Sequence, residues 1–465
     1  MTVPTWVQDS IFYQIFPDRF ANGRIDNDPS NVQAWGALPT RKGFQGGDLR
    51  GILQKLDYLL DLGINAIYLN PIFLSPSNHR YNTTDYLKID PILGDEKDFK
   101  SLLDTAHANG VRIVLDGVFN HCGRGFFAFH DILENNEDSP YLKWFHIKKL
   151  PLDAYSPGKA KNYLAWWGIK SLPKFNTDTP AVRRYLLDVA RYWLDEGIDG
   201  WRLDVPNEID DDDFWAEFRS VVRTVNPDAY LLGEIWTIDK RWVGDGHFDG
   251  LMNYPLREVI LRLLTDHTYR ITEFAALLDN LTKVYPRENA QAMYLLLGSH
   301  DTERVMTMLG GDLQRVKLAF LFLFAFPGAP AVYYGDEIGV TGGKDPDNRA
   351  AFPWETSNWN IELRDWIKKL ITQRKNSIVL RRGDYQQVVT DVENSCYAFV
   401  RTLEDKHVLC IFNFSTEGRW IDLPVPNIGW VDGSLLHNLV GQEEYILSGG
   451  QLSIYLAPWE GAWIG

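Results

Sequence analysis

The chain has 465 residues, more than one ordinary core holds, so a large unit with smaller additions is expected. A net charge of −15 argues against nucleic acid or an anionic membrane as partner, because either needs a basic face. Three cysteines in no disulfide or metal-ligand pattern, no signal-peptide start and no stretch of membrane-spanning length lead to the expectation of a soluble, cytoplasmic protein.

In chain order, residues 11–16 read as a first strand. Residues 48–62 place Leu49, Ile52, Leu53, Leu56, Leu59 and Leu60 on one side, which predicts a helix. Residues 64–69 give a second strand, 96–108 a helix and 111–118 a third strand. The alternation then stops. Residues 119–175 are irregular, rich in Phe, His, Trp and Pro, and too long for an ordinary connection, so a small inserted domain is expected. From residue 181 the alternation resumes, with a helix to 195, a strand at 198–205, a helix from about 212 and a strand at 229–235. A strand near Leu251, a helix near 271–284, a strand at 293–298 and a helix from Leu313 follow. Ala331-Val-Tyr-Tyr334 is the eighth strand and 362–374 the last helix. After about Leu380, short alternating runs between polar turns predict an antiparallel β domain. The expected α/β architecture is a (β/α)₈ barrel in two parts, 1–118 and 176–379. A small domain is inserted after strand three, at 119–175, and an antiparallel β domain closes the chain at 380–465.

Four segments put acidic residues where an apolar strand gives way to a loop. They are Asp116-Gly-Val-Phe-Asn-His121, Gly200-Trp-Arg-Leu-Asp204, Gly233-Glu234-Ile-Trp236 and Leu297-Gly-Ser-His300-Asp301. One such acid is more often a helix cap than a catalyst. Four with the same placement, two beside His and one two residues after Arg, point instead to an enzyme, because a barrel gathers its strand ends around one cleft.

These segments, with Gly47-Asp-Leu-Arg-Gly-Ile52 and Gly328-Ala-Pro-Ala-Val-Tyr-Tyr-Gly-Asp-Glu-Ile-Gly339, occur in the order found in the α-amylase family of retaining glycoside hydrolases, which the chain resembles over nearly its whole length. Leu172-Pro-Lys-Phe-Asn176 and Asp204-Val-Pro-Asn-Glu208 are similar to the neopullulanase, cyclomaltodextrinase and maltogenic amylase branch. The resemblance implies Asp204 as nucleophile, Glu234 as acid/base and Asp301 as the carboxylate that holds sugar hydroxyls. It implies that Arg202 keeps Asp204 ionised, that His121 and His300 donate to the sugar, that His79 and Tyr81 form a pair with Tyr81 stacked under it, and that Asp345 and Arg349 grip its far hydroxyls. Asn207 and Glu208 fall on the acceptor side. Asp116 and Asn120 are expected to steady the loop after strand three, and residues 210–213 to be a solvated charge run. Trp166 and Trp167 suit either sugar stacking or core packing.

Two departures from that branch stand out. Its calcium loop carries Asn, Asp, Asn and Asp at offsets zero, two, five and six. Here those positions hold Asn22, Arg24, Asn27 and Asp28, with Gly46 and Asp48 matching the distal ligands. Calcium requires oxygen ligands, so no bound metal is expected, and the Arg24 guanidinium is expected to neutralise Asp28 or Asp48 instead. The first strand starts near residue 11, so the branch's N-terminal β domain, and the dimer it builds, are not expected; the oligomeric state stays open. The resemblance implies a hydrolase of α-1,4 bonds, with some α-1,6 cleavage, in malto-oligosaccharides, cyclodextrins or pullulan. A glucanotransferase using the same covalent intermediate is the alternative, and a non-catalytic amylase-like binding protein the remote one.

Overall fold

Eight short runs, buried throughout except for Arg112 at the start of the third, pair side by side and in parallel. In the computed structural model, which describes residues 3–266, 268–391, 393, 395–425 and 429–465, they are Phe12–Ile15, Ala66–Leu69, Arg112–Gly117, Gly200–Leu203, Tyr230–Gly233, Gly250–Leu251, Tyr294–Leu295 and Ala329–Tyr333. Each pairs with its neighbour in sequence, and the first also pairs with the eighth. A parallel bridge between Met252 and Tyr294 joins the sixth strand to the seventh and closes the barrel. Side chains alternate along each strand. Phe12, Ala66, Tyr68, Val114, Tyr230, Leu232 and Tyr294 fill the interior, while Tyr13, Ile67, Leu69, Ile113, Leu115 and Leu231 pack under the surrounding helices.

The helices follow from their sequences. Glu96–Ala108 begins with a capping box between Asp95 and Asp98. Pro180–Asp195 buries Val182, Leu186, Val189, Ala190 and Trp193, one stripe at helical period. The expected helix over 48–62 is instead two, Leu49–Gln54 and Leu56–Leu62, parted where the Lys55 N–H is shared among the carbonyls of Gly51, Ile52 and Leu53. The helix Tyr254–Thr265 was not foreseen, although Asn253 accepting from the Leu256 N–H and Pro255 in the first turn are ordinary start signals. The acidic run is not simply solvated. Asp211 caps Asp212–Val225 and pairs with Arg183, and Asp210 and Asp212 lie 2.6 and 2.8 Å from Arg241 Nη2.

Between the third and fourth strands the chain leaves the barrel. Bridges from His121 to Lys174 and from Phe145 to Phe175 tie the start and the middle of this excursion to its end. Its helix, Phe127–Asn135, packs Phe129 against Phe145 and Tyr163. After the last barrel helix, Ile361–Asn376, the strands Asp384–Asp391, Cys396–Leu403, Lys406–Asn413 and Gly461–Ile464 form an antiparallel sheet. Its two faces serve different cores: Tyr397, Phe399, Phe412 and Trp463 join the barrel's, while Ala398, Val400, Leu409 and Ile411 join a smaller one with Leu423, Leu452 and Ile454. Among the described residues no helix is long and apolar enough to cross a membrane.

Candidate active site

Asp116, Arg202, Asp204 and Glu234 meet where the third, fourth and fifth strands end. Arg202 is fully buried at the centre. Its Nη1 donates to Asp116 Oδ1 at 2.8 Å and to Asp204 Oδ1 at 2.9 Å. Its Nη2 lies 2.9 Å from Glu234 Oε2, close enough to pair in charge but not aligned to donate a hydrogen bond. Arg202 and Asp204, two residues apart on one strand, point the same way. Just beyond them Val205 takes φ 36°, ψ 52°, a left-handed conformation costly for a β-branched residue. That turn aims the Val205 N–H at Glu234 Oε2, 3.0 Å away, and Trp236 Nε1 donates to the other oxygen at 3.2 Å.

Asp301 arrives from the seventh strand's end. Its carboxylate lies 3.0 Å from His300 Nε2 and 3.4 Å from Arg349 Nη2. Arg349 also donates to the His300 carbonyl at 2.9 Å and pairs with Asp345 at 3.2 Å. The Tyr81 ring lies parallel to His300, with centroids 5.3 Å apart and planes 7° apart, and the His79 ring lies 6.0 Å from it. Tyr81 Oη donates to Asp116 Oδ2 at 2.7 Å. His121 contacts the Tyr81 carbonyl through Nε2 at 3.1 Å and stacks on Trp166. Trp166 stacks on Trp167, which is 74% exposed, so the pair is not core. Asn207 and Glu208 occupy the short turn Pro206–Glu208 at the rim, where Lys174 Nζ donates to the Glu208 carbonyl at 2.5 Å.

Burial governs the charges. It pushes the Glu234 carboxyl up to about 7 against the opposing pull of Arg202. It also raises Asp204, opposed by Arg202, and Asp301, opposed by Arg349. The buried imidazoles of His79 and His121 are pushed down to about 3, and that of His300 well below its ordinary value, so all three are neutral hydrogen-bonding groups at pH 7.

Every residue expected in the cleft is thus within one connected cluster or on its rim. Asp116 does more than steady a loop, since it accepts from Tyr68, Tyr81 and Arg202 at once. Gln14, Tyr68, Asn70, Val205 and Trp236 also belong to the cluster and were not singled out. A lone amide in the apolar run Phe12-Tyr-Gln-Ile15 was the legible signal for Gln14.

The loop after the first strand differs from expectation. Arg24 does not pair with Asp28 or Asp48. Its guanidinium grips Asp26 through two hydrogen bonds, at 3.0 and 2.9 Å, and reaches Asp98 Oδ2 at 3.0 Å; only its backbone N–H meets Asp48, at 2.9 Å. Asp48, the cap of Leu49–Gln54, also accepts from the N–H groups of Gly23 and Gly51. Asn22 Nδ2 lies 2.9 and 3.0 Å from the two Asp28 oxygens. N–H groups therefore take the acceptor sites on both carboxylates that a cation would use, a poor fit to calcium. The buried Oδ1 atoms of Asn22 and Asn27, which lack partners, are the features a cation would satisfy.

Comparison with known proteins places this arrangement. The family described as "Alpha amylase, catalytic domain" matches residues 14–379, and "Maltogenic Amylase, C-terminal domain" matches residues 387–463. A cyclomaltodextrinase of Geobacillus thermopakistaniensis is 45% identical over 98% of this chain and 76% of its own length. Neopullulanase 2 of Thermoactinomyces vulgaris is 43% identical over 99% of this chain and 78% of its own. A solved complex of the cyclic α-maltosyl-(1→6)-maltose hydrolase from Arthrobacter globiformis with cyclic α-maltosyl-(1→6)-maltose superposes with a TM-score of 0.91 at 40% identity, covering 100% of both chains.

Proposed function

Because the chain belongs to the α-amylase family of glycoside hydrolases, we propose that it cleaves α-1,4 bonds, and to a lesser extent α-1,6 bonds, in malto-oligosaccharides, cyclodextrins or pullulan, with retention of configuration. The observation that carries this reading is the sharing of one guanidinium by Asp204 and Glu234. Retaining enzymes keep their two carboxyls about 5–5.5 Å apart, and a shared guanidinium favours such close spacing. The two titrate as a pair. The proton they retain belongs on Glu234, because Arg202 hydrogen-bonds Asp204 and is not aligned on Glu234.

Asp204 attacks the anomeric carbon as Glu234 protonates the departing oxygen, so the glycosidic C–O bond breaks while the ester forms. Esterification removes the Asp204 charge, so Glu234 loses a repelling neighbour and shares Arg202 with Asp116 alone, which lowers its pKa for the next step. Glu234 then takes a proton from water, the water oxygen attacks the anomeric carbon, and Asp204 is released. Asp301, with Arg349 behind it, is suited to hold sugar hydroxyls through the ring distortion. Tyr81, backed by His300, offers the sugar a flat face. Calcium takes no part in these steps; the Arg24 clamp between Asp26 and Asp98 supports a loop that holds without it. A cytoplasmic location fits the three buried cysteines.

Product analysis with maltotriose, pullulan and β-cyclodextrin, at low and high acceptor concentration, tests the reading. Release of maltose and glucose with the anomeric configuration kept supports it. Transfer products dominating even at low acceptor would make the protein a glucanotransferase. Binding of these sugars without turnover would remove the enzymatic reading altogether.

A further inference from the structure

Gln14 lies on the first barrel strand and joins the cluster from the interior. Its Nε2 is 3.0 Å from Asn70 Oδ1 and 2.8 Å from His300 Nδ1. Asn70 Nδ2 is 2.9 Å from Tyr81 Oη and 3.3 Å from Tyr68 Oη. Both phenols end on Asp116 Oδ2, at 2.7 and 2.6 Å. Each link in this chain has one chemically allowed direction.

A carboxylate held by Arg202 only accepts, so both phenols spend their single proton on Asp116. Their oxygens then accept from the Asn70 amide. The Asn70 carbonyl oxygen is left facing Gln14, which must present N–H. That same NH₂ group also faces His300 Nδ1, which must therefore be a bare lone pair. The ring proton then sits on Nε2, 2.6 Å from the Tyr81 oxygen and 3.0 Å from Asp301 Oδ2, both acceptors. The reverse chain fails at three points. It sets the Tyr81 oxygen against Asp116 at 2.7 Å and against the Asn70 amide oxygen at 2.9 Å with no proton between them, and it aims a ring lone pair at Asp301 across 3.0 Å. Gln14 Oε1 has no partner of its own, so the amide is turned to serve its two acceptors.

We propose that Gln14 is a positioning residue: with Asn70 it carries the direction imposed by Asp116 across the barrel to His300, fixing the imidazole with its one N–H on Nε2, the nitrogen beside Asp301 Oδ2. Stacking on Tyr81 holds the ring plane, and burial keeps the ring neutral. That the donor meets a sugar rests on the function proposed above; the tautomer does not.

Nitrogen-15 NMR of the full chain labelled at histidine tests this, with the His300 signals identified by their loss in His300→Gln. In the unmodified protein, Nδ1 of His300 is expected to be bare and Nε2 protonated between about pH 6 and 8, where free histidine titrates. Gln14→Glu, which presents only acceptors, should move the proton to Nδ1. It should also lower kcat/KM on maltotriose about tenfold or more, as expected for one misdirected hydrogen bond. A protonated Nδ1 in the unmodified protein overturns the proposal, and that measurement needs no variant to fold. A folded Gln14→Glu with Nδ1 still bare, or with a shifted tautomer and unchanged kcat/KM, overturns it as well. Should the tautomers behave as stated in a protein that hydrolyses no glucan, the functional reading fails and the directed chain stands.

Discussion

The Trp236 indole donates to Glu234 at 3.2 Å while lying flat on Tyr254, with ring centroids 3.6 Å apart and planes 7° apart. The stack fixes the angle from which the N–H approaches the carboxyl. A hydrogen bond to the charged form favours that form. Trp236→Phe keeps the stack and deletes the donor. It should move the alkaline limb of the kcat/KM profile upward by roughly half a pH unit, equivalent to about 0.7 kcal/mol. A limb that stays in place, or moves down, would show that the indole does not act on this carboxyl.

Burial places the Glu234 carboxyl near 7, so kcat/KM should fall as pH rises through about 7 and the acid form is lost. Glu234→Gln should lose this limb and nearly all activity on natural glucans, yet still release fluoride from glycosyl fluorides in a first-step burst, because that leaving group needs no proton, with the later attack by water slowed for want of the base. The same shift has a stability consequence. An ordinary Glu loses its proton near 4.5, whereas the folded chain keeps this one to about 7, so the folded state binds more protons in that window and stability falls as pH rises across it. At pH 8 Glu234→Gln should therefore melt higher than the unmodified protein, by an amount on the order of 1–3 kcal/mol. Differential scanning calorimetry at pH 5 and pH 8 checks both sign and window.

Asp204→Asn should abolish turnover by several orders of magnitude with the fold intact, because no covalent ester forms. Trapping with a 2-fluoro glycosyl fluoride followed by peptide mass spectrometry should find the sugar on Asp204. Label on any other residue would displace it from the role.

Arg202→Met should be costly to the fold as well as to activity. It strips the counter-charge from Asp116, Asp204 and Glu234 together, and removing one partner of a buried ion pair typically costs about 3–5 kcal/mol. A variant that melts within a degree of the unmodified protein would contradict that account.

Prolonged treatment with a strong chelator should change neither rate nor melting temperature. A cation present at 100 times its dissociation constant would contribute about 2.7 kcal/mol by linkage, a readily measured loss. Arg24→Ala should lower the melting temperature, because it releases both Asp26 and Asp98. A chelator effect reversed by added calcium would show that Asn22 Oδ1 and Asn27 Oδ1 complete a cation site after all.

The barrel was legible because a strand buried on both faces reads as a continuous apolar run, and the carboxylates were legible because they interrupt such runs at one end. Strand limits were less so: the fourth strand is Gly200–Leu203 rather than 198–205, since pairing stops where Val205 turns left-handed. Arg24 shows a different limit. Its position along the chain was right, but the direction of a long side chain was decided by Asp26 and Asp98, and the latter lies on a helix distant in sequence. Gln14 and Asn70 were missed for a related reason. An amide acquires meaning only from the groups it meets, and those lie on other strands.

The C-terminal sheet presents Phe399 and Phe412 to Phe322 on a barrel helix, at 5.7 and 4.9 Å between ring centroids, and Tyr397 to Phe274 at 5.4 Å. Burying one such ring contributes about 1.5–3 kcal/mol, comparable in sum to the whole net stability of an ordinary domain. Cutting the chain after the last barrel helix would leave that wall of rings in water. The barrel is consequently expected not to fold by itself, and heat should melt both parts in a single cooperative transition.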